Sequence, residues 1–327
     1  MNSISQSGRI IDIGFPYGTY SGLKSHFSMT QDFATNESGI EILSSWIPAL
    51  EALQDFGPYF CFTMNASMAI GRCFDELLFH AQGERIAEID GSLSINPLAV
   101  GSMVIAEEKM ENGLLISIQL FDRNKRGFLK ICLTAESSIN RFHHWVQECL
   151  ALESGAVSQI GIQPFRDLQQ IDRKESSQGQ GFAQKVSQCE SIDIPRGLLA
   201  QVVSLAVDLG IPLQFQAVSP GISHAESFWI ENTQRNEKVL LCEADGVNVF
   251  INEEKIERVR LAKPSGSPHY PFALNLYERC RCRCSVILPA VPPTDPRIRE
   301  WNQTIDNWVR SLNNGSDNAH RGSVRTG

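Results

Sequence analysis

The chain is written twice. Ser117-Ile-Gln-Leu-Phe-Asp-Arg123 reads onto Ala273-Leu-Asn-Leu-Tyr-Glu-Arg279 at an offset of about 156 residues, with Leu120/Leu276 and Arg123/Arg279 identical. At the same offset Arg141-Phe-His-His-Trp145 falls on Arg297-Ile-Arg-Glu-Trp301. Upstream, Glu88-Ile-Asp-Gly-Ser-Leu-Ser-Ile-Asn96 resembles Glu243-Ala-Asp-Gly-Val-Asn-Val-Phe-Ile-Asn252, with one residue inserted in the second copy. Three blocks in one order make this a tandem duplication, and a repeat of this kind constrains the fold more than any single motif.

Each copy reads as a helix, a run of strands and a closing amphipathic helix. The opening helices are expected over Glu41–Phe56 and Ile194–Leu209, the second with Pro195 in its first turn and Gly210 past its end. Strands are expected at Tyr59–Thr63, Leu77–His80, Met103–Ala106, Leu114–Phe121 and Phe128–Leu133. Their partners are Leu213–Val218, Phe228–Ile230, Arg258–Ala262, Pro271–Tyr277 and Cys282–Leu288. Arg123–Gly127 reads as a hairpin turn, with Gly127 free to take positive φ. Many strands joined by short turns favour an antiparallel sheet, so the class is α+β. The closing helices place Phe142, Trp145, Val146, Cys149 and Leu150 on one face, and Ile298, Trp301, Ile305 and Trp308 on another. Asp295-Pro296 supplies an N-cap with proline at N1.

The expected organisation is a poorly patterned segment 1–35, a first repeat 36–152, a Gln/Ser/Gly-rich linker 153–190, a second repeat 191–312 and a polar, disordered tail 313–327. At 327 residues, 42% hydrophobic and 20% charged, the chain holds enough apolar surface for two ordinary cores. No run approaches the ~20 apolar residues of a membrane-crossing helix. No apolar stretch of signal-peptide length stands near the N-terminus. Nine scattered cysteines, an odd number, fit reduced thiols in the cytoplasm better than a disulfide framework. A net charge of −8 argues against bulk electrostatic capture of nucleic acid.

Local chemistry is sparse. In Arg279-Cys-Arg-Cys-Arg-Cys284, strand alternation would put Cys280, Cys282 and Cys284 on one side and Arg279, Arg281 and Arg283 on the other. The thiols lack C-x₂-C spacing and read first as small buried hydrophobes. The arginines form a row able to meet carboxylates or phosphates, against the plainer reading of a solvated strand face. Among the seven histidines, His143 and His144 fall on or beside the outer face of a helix; His80 ends a strand, and His224 and His269 fall in turns. None has a partner at metal-site spacing. No phosphate-binding glycine loop, nucleophile elbow or paired-carboxylate pattern stands out.

Ile118-Gln-Leu-Phe-Asp-Arg-Asn-Lys-Arg-Gly-Phe-Leu-Lys-Ile-Cys-Leu133 resembles the "IQFFD…G…HKVYL" hairpin of the haemin-degrading (HemS/ChuX) haem-utilisation family. Phe62-Thr-Met-Asn65 resembles that family's "TRN" strand, and Val247-Asn-Val-Phe-Ile251 with Leu261-Ala-Lys-Pro264 its "INVFN…LHL…RKP" course. Pro293-Thr-Asp-Pro-Arg-Ile-Arg-Glu-Trp301 resembles its "GQPE…EW" helix. The similarity spans roughly residues 40–150 and 193–311, and members of this length are likewise tandem repeats.

The resemblance implies a haem-binding, cytoplasmic protein of haem trafficking and iron acquisition, with oxidative haem degradation as the family's further activity; homodimerisation is left open. Haem is thus the implied cofactor and partner. Lys263, the Lys of the "KP" pair, would face a propionate, with Arg279 and Arg281 as further cofactor-binding cations. His224 and His143 are the substitutes for the family's axial ligand, His224 being also the metal-ligand candidate. Several family positions differ: the basic residue of "TRN" is Met64, the His after it falls on Ile70, and an Arg gives way to Ser92. The Arg of the "GNRG" turn is Pro220, although Gly221 remains, and no His lies between Trp145 and His224 to match the linker ligand. The alternative is a non-catalytic relative that has lost haem and serves as an interaction or small-ligand-binding module. Weaker still is a thiol metal handler through Cys280, Cys282 and Cys284.

Overall fold

The computed structural model describes residues 38–42, 46–51, 56–65, 67–75, 77, 79–82, 85–88, 92–110, 113–123, 127–134, 137–156, 189–236, 238–264, 270–278 and 283–322. The first sequence half forms β1 (Ser38–Ile42), α1 (Trp46–Glu51), β2 (Tyr59–Met64), β3 (Met68–Phe74), β4 (Phe79–Gln82), β5 (Arg85–Glu88) and β6 (Leu93–Ile95). After a one-turn 3₁₀ helix come β7 (Val100–Met110), β8 (Gly113–Asp122), β9 (Gly127–Leu133) and α2 (Ile139–Ala156). The second half forms β10 (Cys189–Ile194), α3 (Leu198–Asp208), β11 (Leu213–Val218), β12 (Ile222–Phe228), β13 (Asn232–Arg235), β14 (Val239–Ala244) and β15 (Val247–Asn252). It closes with β16 (Arg258–Pro264), β17 (Ala273–Tyr277), β18 (Arg283–Pro289) and α4 (Pro296–Gly322).

The architecture is α+β with antiparallel pairing, as the sequence leads one to expect. The compact units, however, draw on both sequence halves. One comprises Met1–Gln163, Phe215–Glu226 and Asn232–Lys255; the other comprises Pro164–Gln214, Ser227–Glu231 and Ile256–Gly327.

In the first unit a nine-stranded sheet runs β1-β7-β8-β9-β2-β3-β15-β14-β13. Its last three strands come from the second half, and the first half's own β6-β5-β4 are added instead beside β12. The two halves thus exchange hairpins, with one register. Ile70 lies opposite Val249 where β3 meets β15, and His224 lies opposite Leu93 where β12 meets β6. The backbone repeats too: Asn252 N–H donates to Ser67 C=O at 2.8 Å, and Asn96 N–H donates to Gly221 C=O at 3.0 Å.

The strand patterns follow from what covers them. All six residues of β2 are buried because both faces of this central strand are packed. On one face Tyr59 and Cys61 join a core with Phe56, Leu120, Ile131, Phe142 and Trp145; on the other Phe60, Phe62 and Met64 meet Ala69, Cys132, Val239 and Phe250. Burying each such side chain contributes about 1.5–3 kcal/mol. On α2, Phe142, Trp145 and Val146 are buried and His143 and His144 exposed, as the helical stripe predicts. The Trp145 indole N–H donates to Ala49 C=O at 2.9 Å, tying α2 to α1.

In the second unit β10-β16-β17-β18 form an antiparallel set. Leu199, Val202, Val203 and Ala206 of α3 are buried, and so are Ile298, Trp301, Ile305 and Val309 of α4. Trp308, read from sequence as part of that stripe, is only half-buried, and Val309 takes its place. The N-cap reading holds: Asp295 Oδ1 accepts the Arg297 backbone N–H at 2.9 Å.

Further expectations change: the strand expected at Phe228–Ile230 is instead β12, which ends at Phe228. Glu41 belongs to β1, so α1 starts later than expected, at Trp46. Ile194 ends β10, and α3 begins only at Leu198, past Pro195. Gly127 starts β9, and the positive-φ glycines among the described residues are Gly210 and Gly246. Helix α4 runs on through Gly322, where the polar composition reads as a tail.

Candidate functional site

A line of polar side chains runs through the apolar interior of the first unit. Along β12 every second residue turns inward, so His224 and Glu226 share a face with buried Ile222 and Phe228. His224 is therefore a strand residue; the turn expected around it ends before Ile222. Glu226 Oε1 accepts from His224 Nε2 at 2.7 Å and from Arg72 Nη1 at 2.8 Å. Since the carboxylate has no proton to offer, Nε2 carries the hydrogen, and Thr63 Oγ1 meets Nδ1 at 2.7 Å. Arg72 also reaches Ser92 Oγ at 3.4 Å, and its guanidinium lies 4.7 Å from the centre of the Phe74 ring. Burial alone would raise the Glu226 carboxyl, but the hydrogen bonds and charge of His224, followed by those of Arg72, hold it below the ordinary glutamate value.

Hydroxyl, imidazole and carboxylate in a row are the parts of a nucleophilic relay. Here Thr63 and His224 have 0% exposure, so no substrate reaches the hydroxyl. The row is a fastening between strands. Ligation of iron by His224 would require surrendering either the Thr63 or the Glu226 contact. Among the described residues no group of three His, Cys, Asp or Glu is placed to hold a metal ion.

The other expected site residues stand apart from this line. His143 projects from α2 with its imidazole exposed, and His144 beside it pairs with Glu148 at 3.4 Å. Lys263, on β16, is half-buried with its ammonium 5.0 Å from the Phe272 ring centre. Arg279 and Arg281, with Cys280 and Cys282, lie outside the described residues. Strand β17 ends at Tyr277 and β18 begins at Arg283, one residue after the strand start expected at Cys282. Met64 and Ile70 are buried, Met64 among Phe60, Phe62 and Phe250, and Pro220 offers its carbonyl to Asn96 Nδ2 at 3.2 Å.

A cationic patch in the second unit escapes the sequence reading. Arg258 and Arg260 alternate with buried Val259 and so share the outer face of β16. Arg260 Nε lies 2.8 Å from Asp193 Oδ1, and the Arg258 and Arg260 guanidinia stand 4.5 and 5.9 Å from the Tyr277 ring centre. The Arg-Val-Arg alternation was the available signal. It offers planar donors beside an aromatic face, chemistry suited to a carboxylate on a flat ligand.

No protein-family profile and no curated protein sequence matches the chain. Solved structures do. The heme degrading enzyme ChuS of Escherichia coli O157:H7 superposes with a TM-score of 0.67 at 14% identity, covering 93% of this chain and 98% of ChuS. The heme-binding protein PhuS of Pseudomonas aeruginosa, in its apo form, gives 0.63 at 15% identity over 85% of this chain and 88% of PhuS. Its holo form gives 0.59 at 14% identity, over 81% and 85%. The fold of this chain is the HemS/ChuX-like fold that ChuS and PhuS share.

Proposed function

We propose that this protein belongs to haem utilisation, binding haem in the cytoplasm and passing it on. The observation that carries the reading is the fold likeness to ChuS over 93% of this chain. Two separate features add to it. His143 is an exposed imidazole of the type that ligates haem iron. Lys263 is a half-buried ammonium next to an aromatic ring, and on the opposite face of β16 Arg258 and Arg260 supply cations for carboxylates. Arg279 and Arg281 are proposed as further propionate partners on the resemblance alone. Cytoplasmic placement rests on the cysteine usage. No helix among the described residues is long and apolar enough to cross a membrane.

The second reading is a relative that has given up haem and binds another ligand or a protein. It is favoured by the commitment of both His224 nitrogens inside the core. Haemin titrated into the purified protein, followed at the Soret band, separates the two. The first reading expects a saturable, stoichiometric shift, weakened in His143→Ala if that imidazole ligates the iron and in Lys263→Ala if that ammonium meets a propionate. A spectrum that stays that of free haemin sinks it. Haem breakdown is tested in turn by adding reductant, oxygen and catalase to the complex and measuring Soret loss against free haemin.

A further inference from the structure

The hairpin exchange raises a question of partner choice. Strands β3 and β12 are copies of one another, and so are the strands they receive, β15 and β6, in one register. Backbone complementarity therefore cannot tell a like pairing from an unlike one. Two first halves from two chains could complete each other's sheets as readily as the first and second halves of one chain. Exchange of an identical element between copies is a low-cost route to unwanted assemblies.

We propose that Arg72 and Glu226 form a pairing code that admits only the exchange between unlike halves. Arg72 and Glu226 are 154 residues apart, occupy equivalent positions of β3 and β12, and touch each other at 2.8 Å. Equivalent positions that touch lie on the local symmetry relation between the copies. In a like pairing each would meet itself: arginine against arginine in one case, glutamate against glutamate in the other. Both encounters would put two like charges where the Glu226 side chain is 8% exposed, an arrangement heavily penalised at low dielectric. His224 adds a second asymmetry. Its equivalent is Ile70, and it donates to the same Glu226 oxygen that receives Arg72. A like pairing of second halves would crowd two imidazoles and two carboxylates, and one of first halves would leave Arg72 without its carboxylate. Buried ion pairs contribute little net stability over apolar packing, but they can specify a single partner.

The test uses the full chain, unfolded in denaturant and refolded over a range of concentrations, with mass read by light scattering. All variants carry His224→Ile, which copies Ile70, so that they differ only in the charge pair. H224I alone keeps the Arg72–Glu226 pair and is expected to refold to the same species as the wild type at every concentration. R72L/H224I/E226L has no charge pair but sound apolar packing. It is expected to fold yet give a higher-mass fraction that grows at least several-fold across the series. H224I/E226R sets arginine against arginine and is expected to lose the native species, and R72E/H224I/E226R, with opposite charges restored, to regain it. The proposal is overturned if the leucine variant refolds to the wild-type species at all concentrations. It is equally overturned if the exchanged-charge variant is no better than H224I/E226R, a comparison that decides the matter even if the leucine variant does not fold. None of these readouts involves haem, so they stand or fall separately from the proposed function.

Discussion

Ile70 and His224 occupy one register position in two copies of one strand, facing Val249 and Leu93 respectively. Both have 0% exposure. One fills its place with hydrocarbon; the other fills it with an imidazole whose two nitrogens are held by Thr63 and Glu226 at 2.7 Å each. The duplication has kept its backbone and diverged in its interior chemistry.

Removing the imidazole should therefore cost stability. His224→Ala strips Thr63 and Glu226 of a buried partner and leaves a void, for an expected loss of about 2–4 kcal/mol. Urea unfolding followed by far-UV circular dichroism measures it, and a loss below about 1 kcal/mol would show that the network holds little.

Acid should act through the same row. A carboxyl held below its unfolded value adds stability that is fully present above that value and is lost as pH falls through the folded one. Glu226 is such a group, with an ordinary value of 4.5. Stability of the wild type should accordingly fall on acidification below pH 4.5 more steeply than that of Glu226→Gln. Parallel curves for the two proteins would contradict the assignment.

Trp145 is the keystone between α1 and α2. It is 2% exposed, and its ring stands 5.8 Å from Phe56 and 5.6 Å from Phe142. Trp145→Ala should cost about 3–5 kcal/mol and leave the Ala49 carbonyl without its donor. Thermal unfolding of the variant beside the wild type checks this.

Gly221 should resist any side chain. A Cβ there would sit 2.6 Å from Cε1 of Phe128, a ring itself 3% exposed. Gly221→Ala should destabilise by about 1–3 kcal/mol, since an enclosed ring has little room to retreat. The equivalent position in the first copy is Ser67, so the demand comes from Phe128 and not from the turn. Gly221→Ala in a Phe128→Leu background should regain much of the loss.

The cap of α4 is open to direct titration. Asp295 receives the Arg297 guanidinium at 2.9 and 2.6 Å. That hydrogen-bonded contact, with the cap bond from the Arg297 backbone, lowers the Asp295 carboxyl to about 2. Its carboxyl resonance in NMR should titrate near that value and move up toward 3.8, the ordinary value, in Arg297→Gln.

The fold was readable where pattern and burial agree. Strands β2, β8, β9 and β11 are continuous or alternating apolar runs, and their bounds emerge to within a residue or so. Strand β3 did not emerge, because Gly71 and Arg72 interrupt its pattern. The gap at Gly71 is filled from β2, with the Phe60 and Phe62 rings 2.8 Å from where its Cβ would be. Strand β12 was concealed by the polar Ser223, His224 and Glu226; His224 reaches Thr63, 161 residues away, and Glu226 reaches Arg72, 154 away. The hairpin exchange was invisible for a deeper reason. Equivalent strands offer equivalent edges, so hydrophobic pattern cannot say which copy completes which sheet. The site reading suffered likewise, since exposure of His143 follows from helical period but enclosure of His224 depends on long-range packing.

The exchange also sets an order on synthesis. The first sheet recruits β13, β14 and β15 at its far edge, so it is not complete until Asn252 has been made. A nascent chain that has emerged only as far as α2 has β3 with its outer backbone edge unmatched, and a bare strand edge is a template for aggregation. Completion through contacts so distant in sequence is slow. Any agent that shields the β3 edge on the ribosome should therefore raise the yield of this protein, and a stop placed between the repeats should yield an insoluble fragment.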